Sequence, residues 1–326
     1  MYTFVNSIKK IIMTKLHKIK EITFPLNLFA TTFLLFIFCS QLTSQGIKEV
    51  DLDFDEHLMT VTTLIFTKKK AKYKIHSGQG TGFFFREDFK ISDDSTGTRF
   101  WLVSNRHVLY PEESFPDNLE FGLREKPKNQ DKTIWISIKI SNDSIKKKLR
   151  IFPDKTIDVA ALDITNEIFE YYKSAKNPMA FTTLSSTALY NKDHPYQPSL
   201  GDDILAIGYP KGFYDSYNSS PIVKTGIIAS RYGLLFRGSP SFAIDCKLFP
   251  GSSGSLIIAK PKEIIISNGQ PLFTTKKGIY CLGIYSGEPY QERIAMKNGK
   301  KVIKQETFDL GVVYYADLIK ELIGVK

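Results

Sequence analysis

The sequence predicts an all-β protein that ends in one helix, and three observations indicate this. From residue 58 onward, short runs rich in β-branched and aromatic residues are separated by polar or turn-forming stretches. Several of these runs alternate apolar and polar residues with the period of two that half-buried strands require. Near the end, apolar residues recur at helical spacing, which predicts a helix that packs one face on the protein core. These residues are Tyr315, Leu318, Ile319, Leu322 and Ile323.

The predicted strands fall into two groups along the chain. The first group covers residues 60–66, 81–85, 99–104 and 135–140. The second group covers residues 203–207, 222–229, 255–259, 263–266 and 278–285. Between the groups, residues 166–174 predict a short helix, and a linker that runs through Pro195 and Pro198 follows it.

Residues 1–45 differ in composition from the rest of the chain and predict a signal peptide or an uncleaved signal anchor. Five lysines precede an apolar run of twelve residues, 28–39, and a polar stretch follows it. The run is short for a membrane span, and no small-residue cleavage site is evident after it. Cys39 leaves lipidation open, although Phe36 and Phe38 are bulky for a lipoprotein signal. The protein is therefore expected to be exported, either to the periplasm or to the exterior, free or anchored to a membrane.

The net charge of +10 does not by itself argue against any function, because part of this charge lies in the leader. Two runs of three lysines, 68–70 and 146–148, are interpreted as solvated surface, since no aromatic residues are interleaved with them. Nucleic-acid binding is accordingly not expected. The Cys and His spacings match no zinc pattern, so we expect neither a metal nor another cofactor.

Two cysteines follow the leader, Cys246 and Cys281. In an exported protein this pair permits one disulfide. Small buried thiols are also common in protein cores, and the sequence leaves both possibilities open.

A turn at residues 249–255 carries the first candidate catalytic group. Ser253 follows Gly251 by two residues, precedes Gly254, and leads into the apolar run 256–259. Such a turn can expose one hydroxyl beside consecutive backbone N–H groups, as a nucleophile beside an oxyanion hole requires. Clusters of Gly and Ser are also ordinary turns, and Ser252 is the neighbour that could be mistaken for the nucleophile.

A serine nucleophile requires a base and a group that orients the base. Of the five histidines, only His107 follows an apolar strand, 99–104, at the point where the chain becomes polar. Asp158 opens the apolar run 159–162, where a carboxylate is costly to bury unless it is hydrogen-bonded. Asp163, at the end of this run, is interpreted as a solvated strand end.

Six blocks of the sequence resemble those of trypsin-like serine proteases, especially the bacterial Deg-type branch. Residues 104–108, S-N-R-H-V, resemble the T-N-x-H-V block around the histidine, and residues 158–162, D-V-A-A-L, resemble D-I-A-V-L. Asp245 and the F-P-G-S-S-G-S turn resemble D-A-A-I-N-P-G-N-S-G-G. The remaining blocks are G-T-G-F-F at 80–84, I-G-Y-P at 207–210 and L-G-I-Y-S at 282–286. The order His, Asp, Ser is also that of the family, whereas an α/β-hydrolase would run Ser, Asp, His.

The resemblance implies a chymotrypsin-like architecture of two packed, antiparallel, six-stranded β-barrels with a C-terminal helix. A peptidase domain at 46–326 would contain the first barrel at about 58–165, a linker at 166–200, the second barrel at about 201–314, and the helix at 315–324. The domain is expected to lack a following PDZ module. The regulated oligomers of the Deg-type branch are therefore not expected.

The resemblance also assigns roles in peptide hydrolysis. His107, Asp158 and Ser253 would form the catalytic triad, and the N–H groups of Gly251 and Ser253 would form the oxyanion hole. An extended polypeptide substrate would add as a strand along Ile284, Tyr285 and Ser286. Lys247 would lie at the floor of the specificity pocket and favour an acidic residue before the scissile bond, unless Leu248 or Phe249 points into the pocket instead. Ser255 departs from the family, which has glycine there. A non-catalytic peptide-binding module and a small-ester hydrolase remain as alternatives.

Overall fold

Seven strands of the first half form one antiparallel sheet in the order β5-β4-β1-β2-β3-β7-β6. The computed structural model describes residues 53–71, 74–93, 95–128, 130–190, 196–267, 270–273, 278–297 and 300–324. The predicted leader, His194 and part of the linker lie outside these ranges. The strands are β1 Thr62–Ala71, β2 Lys74–Ser92, β3 Ser95–Ser104, β4 Asn118–Glu125, β5 Ile134–Ser141, β6 Leu149–Ile151 and β7 Ala160–Asp163.

This sheet differs from the closed six-stranded barrel that the resemblance implies. Strand β5 leads into a helix, Asn142–Lys148, instead of turning back to close the sheet. The helix buries Ile145 in the core, and the three-residue strand β6 that follows pairs only with β7. Strands β5 and β6 are therefore the two edges of a seven-stranded sheet.

The second half contains the closed six-stranded barrel that was expected, in the order β10-β17-β14-β11-β8-β9. Closure leaves none of its six strands with an unpaired edge. Two separate hairpins, β12 with β13 and β15 with β16, extend from it. The strands are β8 Asp203–Gly208, β9 Ile222–Ile228, β10 Ser241–Asp245, β11 Leu256–Ala259, β12 Ile264–Ser267, β13 Gln270–Phe273, β14 Cys281–Gly287, β15 Tyr290–Lys297, β16 Lys300–Thr307 and β17 Leu310–Tyr315.

Among the described residues, five α-helices accompany the strands: α1 Phe54–Val61, α2 Arg106–Leu109, α3 Asn142–Lys148, α4 Thr165–Ser174 and α5 Leu318–Ile323. Sequence reasoning missed α1, although Phe54, Leu58 and Val61 recur at helical spacing. The C-terminal helix begins at Leu318, because Tyr315 is still paired with Gly283 in the barrel. None of the helices in the described ranges is long and apolar enough to cross a membrane.

The end of β3 is buried on both faces, which explains why residues 100–104 form an apolar run without alternation. Leu102 packs with the side chains that surround the first sheet on one face. Val103 packs on the other face, in a cluster that includes Leu256 of the barrel and Ile319 of α5. The strand is therefore fixed between both halves of the protein at the point where it leads to His107.

The two cysteines are free thiols in separate places. Cys246 lies in the core of the barrel, and Cys281 lies in the cluster between the two halves. Burial raises the pKa of both thiols, that of Cys281 to about 12. The structure therefore contains no disulfide between them, and both thiols remain protonated at neutral pH.

Arg124 of β4 is a buried cation that joins the first sheet to the loop after β8. Its side chain is 1% exposed and stacks 5.2 Å from the ring centre of Trp135. The guanidinium donates to the Ser219 carbonyl at 2.6 Å and to the Tyr209 hydroxyl. A buried guanidinium is costly to leave without partners, so these bonds fix the loop against the sheet.

We predict that Arg124→Ala lowers the free energy of unfolding by about 2–4 kcal/mol, because it leaves a cavity and unpaired buried acceptors. The measurement is urea unfolding followed by tryptophan fluorescence. Arg150→Ala is the control, since Arg150 is exposed on β6, and it should change stability by less than about 0.5 kcal/mol. Equal effects of the two variants would contradict a role of Arg124 in holding the halves together.

Candidate active site

His107 is held by buried neighbours on both sides while its own side chain remains 51% exposed. It lies in the single-turn helix α2, directly after the buried end of β3. Arg106 is buried, and its guanidinium donates to Glu113 at 2.8 and 2.6 Å and to the Phe152 carbonyl at 2.8 Å. Val108 is also buried. The backbone of His107 is therefore fixed, and the imidazole is accessible from the surface.

Asp158 contacts His107 at two points. One carboxylate oxygen, Oδ2, lies 2.7 Å from Nδ1 of the ring, and the other, Oδ1, accepts the backbone N–H of His107 at 3.0 Å. Asn105 donates to the Asp158 carbonyl at 2.8 Å and fixes the loop before β7. An ionised carboxylate can only accept, so Nδ1 carries the proton and the lone pair of a neutral ring is at Nε2. The arrangement can therefore orient a general base.

Ser286 connects this pair to the turn at residues 249–255, called the nucleophile turn here because it carries the candidate nucleophile Ser253. Its hydroxyl donates to Asp158 Oδ2 at 2.5 Å, and its carbonyl accepts the hydroxyl of Ser253 at 3.0 Å. The three predicted triad residues thus come together around one residue that the sequence had assigned only to substrate binding. The structure contains no hydrogen bond between Ser253 and His107, because the Ser253 hydroxyl donates to Ser286 instead.

The two neighbouring serines differ in exposure, which distinguishes them as nucleophile candidates. Ser252 is 1% exposed, and its hydroxyl has no hydrogen-bond partner among the described residues. Ser253 is only half-buried. Ser253 is therefore the more accessible of the two residues.

The predicted oxyanion-hole groups belong to peptides whose carbonyls are fixed. The Pro250 carbonyl accepts from Lys211 N–H at 2.6 Å, and the Ser252 carbonyl accepts from Ser255 N–H at 2.9 Å. Because a trans peptide is planar, its N–H points opposite to its C=O. The N–H groups of Gly251 and Ser253 are therefore directed away from these contacts, and they have no acceptor among the described residues. Both groups are available to stabilise an oxyanion.

Glycine is required at two positions of this turn. Gly251 has φ +90°, and a β-carbon there would lie 2.9 Å from the Tyr209 carbonyl oxygen. Gly254 has φ +86°, and its β-carbon would lie 1.9 Å from the Thr81 carbonyl oxygen. Both positions combine a left-handed backbone with a close approach of other backbone atoms, so L side chains are excluded.

Thr81 of β2 is a positioning residue that sequence reasoning missed. Its N–H donates to the Ser253 carbonyl at 2.8 Å, and its hydroxyl donates to the Gly251 carbonyl at 2.9 Å. The same hydroxyl accepts the N–H of Tyr209 at 3.0 Å. The signal was present in the G-T-G block, where Thr81 lies between two glycines. Nothing in that block shows which backbone atoms of other residues the Thr81 hydroxyl contacts.

The residues predicted to bind substrate fall into a buried group and a more exposed group. The side chains of Leu248, Ile284 and Tyr285 are at most 4% exposed and pack in the core, so they offer no side-chain surface to a ligand. Lys247 is largely exposed and pairs with Asp309 at 3.0 Å. Phe249 is 37% exposed. Of the predicted substrate-binding residues, Lys247, Phe249 and Ser286 are therefore the ones whose side chains are not buried.

The rim around Phe249 is basic. The ammonium groups of Lys211 and Lys224 lie 5.1 and 4.9 Å from the centre of its ring, within the range of cation–π contacts. Lys224 also donates to the Lys247 carbonyl. Within the described ranges, no three His, Cys, Asp or Glu side chains are grouped so that they could hold a metal ion.

The family model of the trypsin-like peptidase domain matches residues 80–265, which include His107, Asp158 and Ser253. The chain belongs to this family. No curated protein matches the trypsin-like peptidase described here.

Three solved structures are similar to this trypsin-like peptidase at low sequence identity. An inactive form of Rv3671c from M. tuberculosis H37Rv is 16% identical and has a TM-score of 0.36. The match covers 83% of this chain and 86% of the Rv3671c chain. The apo MamO protease domain from Magnetospirillum magneticum is 10% identical, with coverages of 81% and 96% and a TM-score of 0.39. The scabies mite inactivated protease paralogue S-I1 is 12% identical, with coverages of 84% and 99% and a TM-score of 0.41.

We predict that Gly254→Ala destabilises the peptidase by about 2 kcal/mol or more, because the new methyl group overlaps the Thr81 carbonyl and the backbone has positive φ. The measurement is the free energy of unfolding in urea. Gly287→Ala is the matched control, since no atom lies within 4 Å of the β-carbon position there. It should change stability by less than about 1 kcal/mol. An equally mild effect at Gly254 would show that the turn is not constrained as described.

Proposed function

We propose that this trypsin-like peptidase is a serine endopeptidase in which Ser253 is the nucleophile, His107 the general base and Asp158 the group that orients it. The contact of Asp158 with both the ring and the backbone N–H of His107 is the observation that carries the proposal. A histidine fixed in this way presents Nε2 as an acceptor, as proton removal from a serine requires. The two bonds of Ser286, which donates to Asp158 and accepts from Ser253, support the same assignment.

The reaction begins when the Ser253 hydroxyl leaves the Ser286 carbonyl and turns towards Nε2 of His107. Catalytic hydrogen bonds are often formed only when substrate is bound, so the bond to Ser286 in the free protein is compatible with this step. His107 takes the proton as Oγ attacks the scissile carbonyl, and it later returns the proton to the leaving amine. Asp158 stabilises the imidazolium without taking the proton.

The N–H groups of Gly251 and Ser253 would stabilise the oxyanion of the tetrahedral intermediate. Neither N–H group has another acceptor among the described residues, and this supports the role. Water then attacks the acyl-enzyme, with His107 again acting as the base, and releases Ser253.

An extended polypeptide is the substrate that the rim of the cleft fits. Once Ser253 has turned away, the Ser286 carbonyl is free to accept a backbone N–H of a bound chain. Lys211 and Lys224 would favour acidic side chains near the scissile bond, because their ammonium groups lie 5.1 and 4.9 Å from the ring centre of the half-exposed Phe249. The leader predicted at residues 1–45 supports export as part of this proposal.

We predict that a fluorophosphonate probe labels the protein at Ser253 and that Ser253→Ala abolishes the labelling. Ser252→Ala is the matched control and should label at a rate close to that of the wild type, since Ser252 is buried. Asp158→Asn should lower the labelling rate and the rate of casein cleavage, the latter by about 10⁴-fold, because the imidazole loses its orienting carboxylate. The measurements are labelling followed by peptide mass spectrometry and a casein digest.

The same experiments distinguish the alternatives. A protein that never labels would be a non-catalytic binding module. Labelling without casein cleavage, together with hydrolysis of small esters, would identify an ester hydrolase. Labelling at another serine would overturn the assignment of Ser253.

A further inference from the structure

The hairpin of β15 and β16, called the ribbon here, exposes an apolar face that no other described element covers. The two strands pair only with each other, outside the closed barrel. Ile294 and Ile303 are direct cross-strand partners, and Met296 lies on the same face two residues further along β15. These side chains are 73%, 70% and 67% exposed. An isolated two-stranded hairpin is only marginally stable in water, so a partner for this face would stabilise it.

The distal part of the ribbon is also strongly basic. Residues 294–304 contain four lysines, Lys297, Lys300, Lys301 and Lys304, and no acidic residue. Acidic residues occur only nearer the barrel, where Glu306 pairs with Arg293 at 3.0 Å. The apolar face therefore lies in a segment with a net charge of +4.

Lys301 is the cross-strand partner of Met296 and shares the apolar face, whereas positions 297, 300 and 304 fall on the opposite face of the ribbon. An apolar face in a basic segment without acidic residues matches the surface of an anionic bilayer. Each lysine near such a surface is attracted to the phospholipid headgroups, and the aliphatic groups can enter the interface. An acidic polypeptide would satisfy the lysines but would leave the face of Ile294, Met296 and Ile303 in water. An apolar polypeptide would cover that face but make no use of the positive charge.

We propose that the ribbon is a membrane-contact element that binds anionic phospholipid, with Ile294, Met296 and Ile303 in the interface and Lys301 at the headgroups beside them. The other three lysines add to the attraction through the net charge of the segment. The ribbon begins at Tyr290, shortly after Ser286, which holds Ser253 in the candidate active site. Eight strand residues extend about 26 Å at 3.3 Å per residue. Binding would therefore keep the cleft within about this distance of a membrane and favour polypeptide segments close to the bilayer.

The first test places a reporter on the proposed contact. Ile303→Trp is made in the full chain, and the protein is mixed with vesicles of phosphatidylglycerol and brominated phosphatidylcholine. We expect its additional tryptophan fluorescence to shift to the blue and to be quenched by bromine, and expect neither change with neutral vesicles. Phe213→Trp is the control, because Phe213 is 69% exposed on the loop after β8. It should show no quenching.

The second test measures the charge contribution. Lys300→Glu together with Lys301→Glu should weaken binding to phosphatidylglycerol vesicles about tenfold or more, while fluorophosphonate labelling stays unchanged. Lys146→Glu with Lys147→Glu makes the same change of net charge on α3, where both lysines are exposed, and should weaken binding less than threefold. The predicted leader is present in every variant and contributes equally to all of them.

Three results would overturn the proposal. The first is absence of quenching at position 303 with anionic vesicles. The second is an equal loss of binding in both double variants, which would indicate a general effect of net charge. The third is a blue shift of the Trp reporter on addition of casein but not of vesicles, which would identify the ribbon as a polypeptide-docking surface. Ser253→Ala should bind vesicles like the wild type, so failure of the proposed catalytic function is separable from failure of this proposal.

Discussion

The hydrogen bonds of Thr81 are the constraint on which the candidate active site depends. Thr81 belongs to β2 of the first sheet, but its N–H and hydroxyl hold the Ser253 and Gly251 carbonyls of the nucleophile turn. The hydroxyl also accepts from Tyr209, so it contacts the loop after β8 at the same time. Thr81 thus fixes the 251–252 and 253–254 peptides, while Lys211 and Ser255 hold the Pro250 and Ser252 carbonyls of the two peptides that carry the N–H groups of Gly251 and Ser253. With all four carbonyls held, the turn has little freedom to rotate its peptides. The N–H groups proposed to stabilise an oxyanion are therefore oriented before any substrate binds.

Ser286 makes the corresponding connection from the other side of the cleft. It belongs to β14 of the barrel, while Asp158 and His107 belong to the first half of the chain. The site is thus assembled only when sheet and barrel are packed together. The buried end of β3, with Leu102 and Val103 in two different clusters, and the bonds of Arg124 hold that packing. Stability at this interface and alignment of the candidate catalytic groups therefore have a common structural origin.

The proximity of the candidate catalytic residues was easier to predict from the sequence than the contacts that position them. His107 and Asp158 could be paired from their blocks, and the all-β class and closed second barrel followed from strand patterns and the resemblance. The roles of Thr81 and Ser286 depend on contacts with residues more than thirty positions away, which no local pattern reveals. Burial of both Ile284 and Tyr285 also contradicts a simple alternation, because both faces of β14 pack against other parts of the protein. The seven-stranded sheet was missed because α3 interrupts the chain where a barrel would close.

The rate at which Thr81 variants react with a fluorophosphonate probe tests the central claim most directly. Thr81→Val keeps the shape and the backbone N–H but removes the hydroxyl bonds to Gly251 and Tyr209, while Thr81→Ser keeps them. We predict that Thr81→Val lowers the rate of fluorophosphonate labelling at Ser253 about tenfold or more in protein that is still folded, and that Thr81→Ser stays within threefold of the wild type. Equal labelling rates for Thr81→Val and the wild type would contradict the claim that this hydroxyl aligns the nucleophile turn.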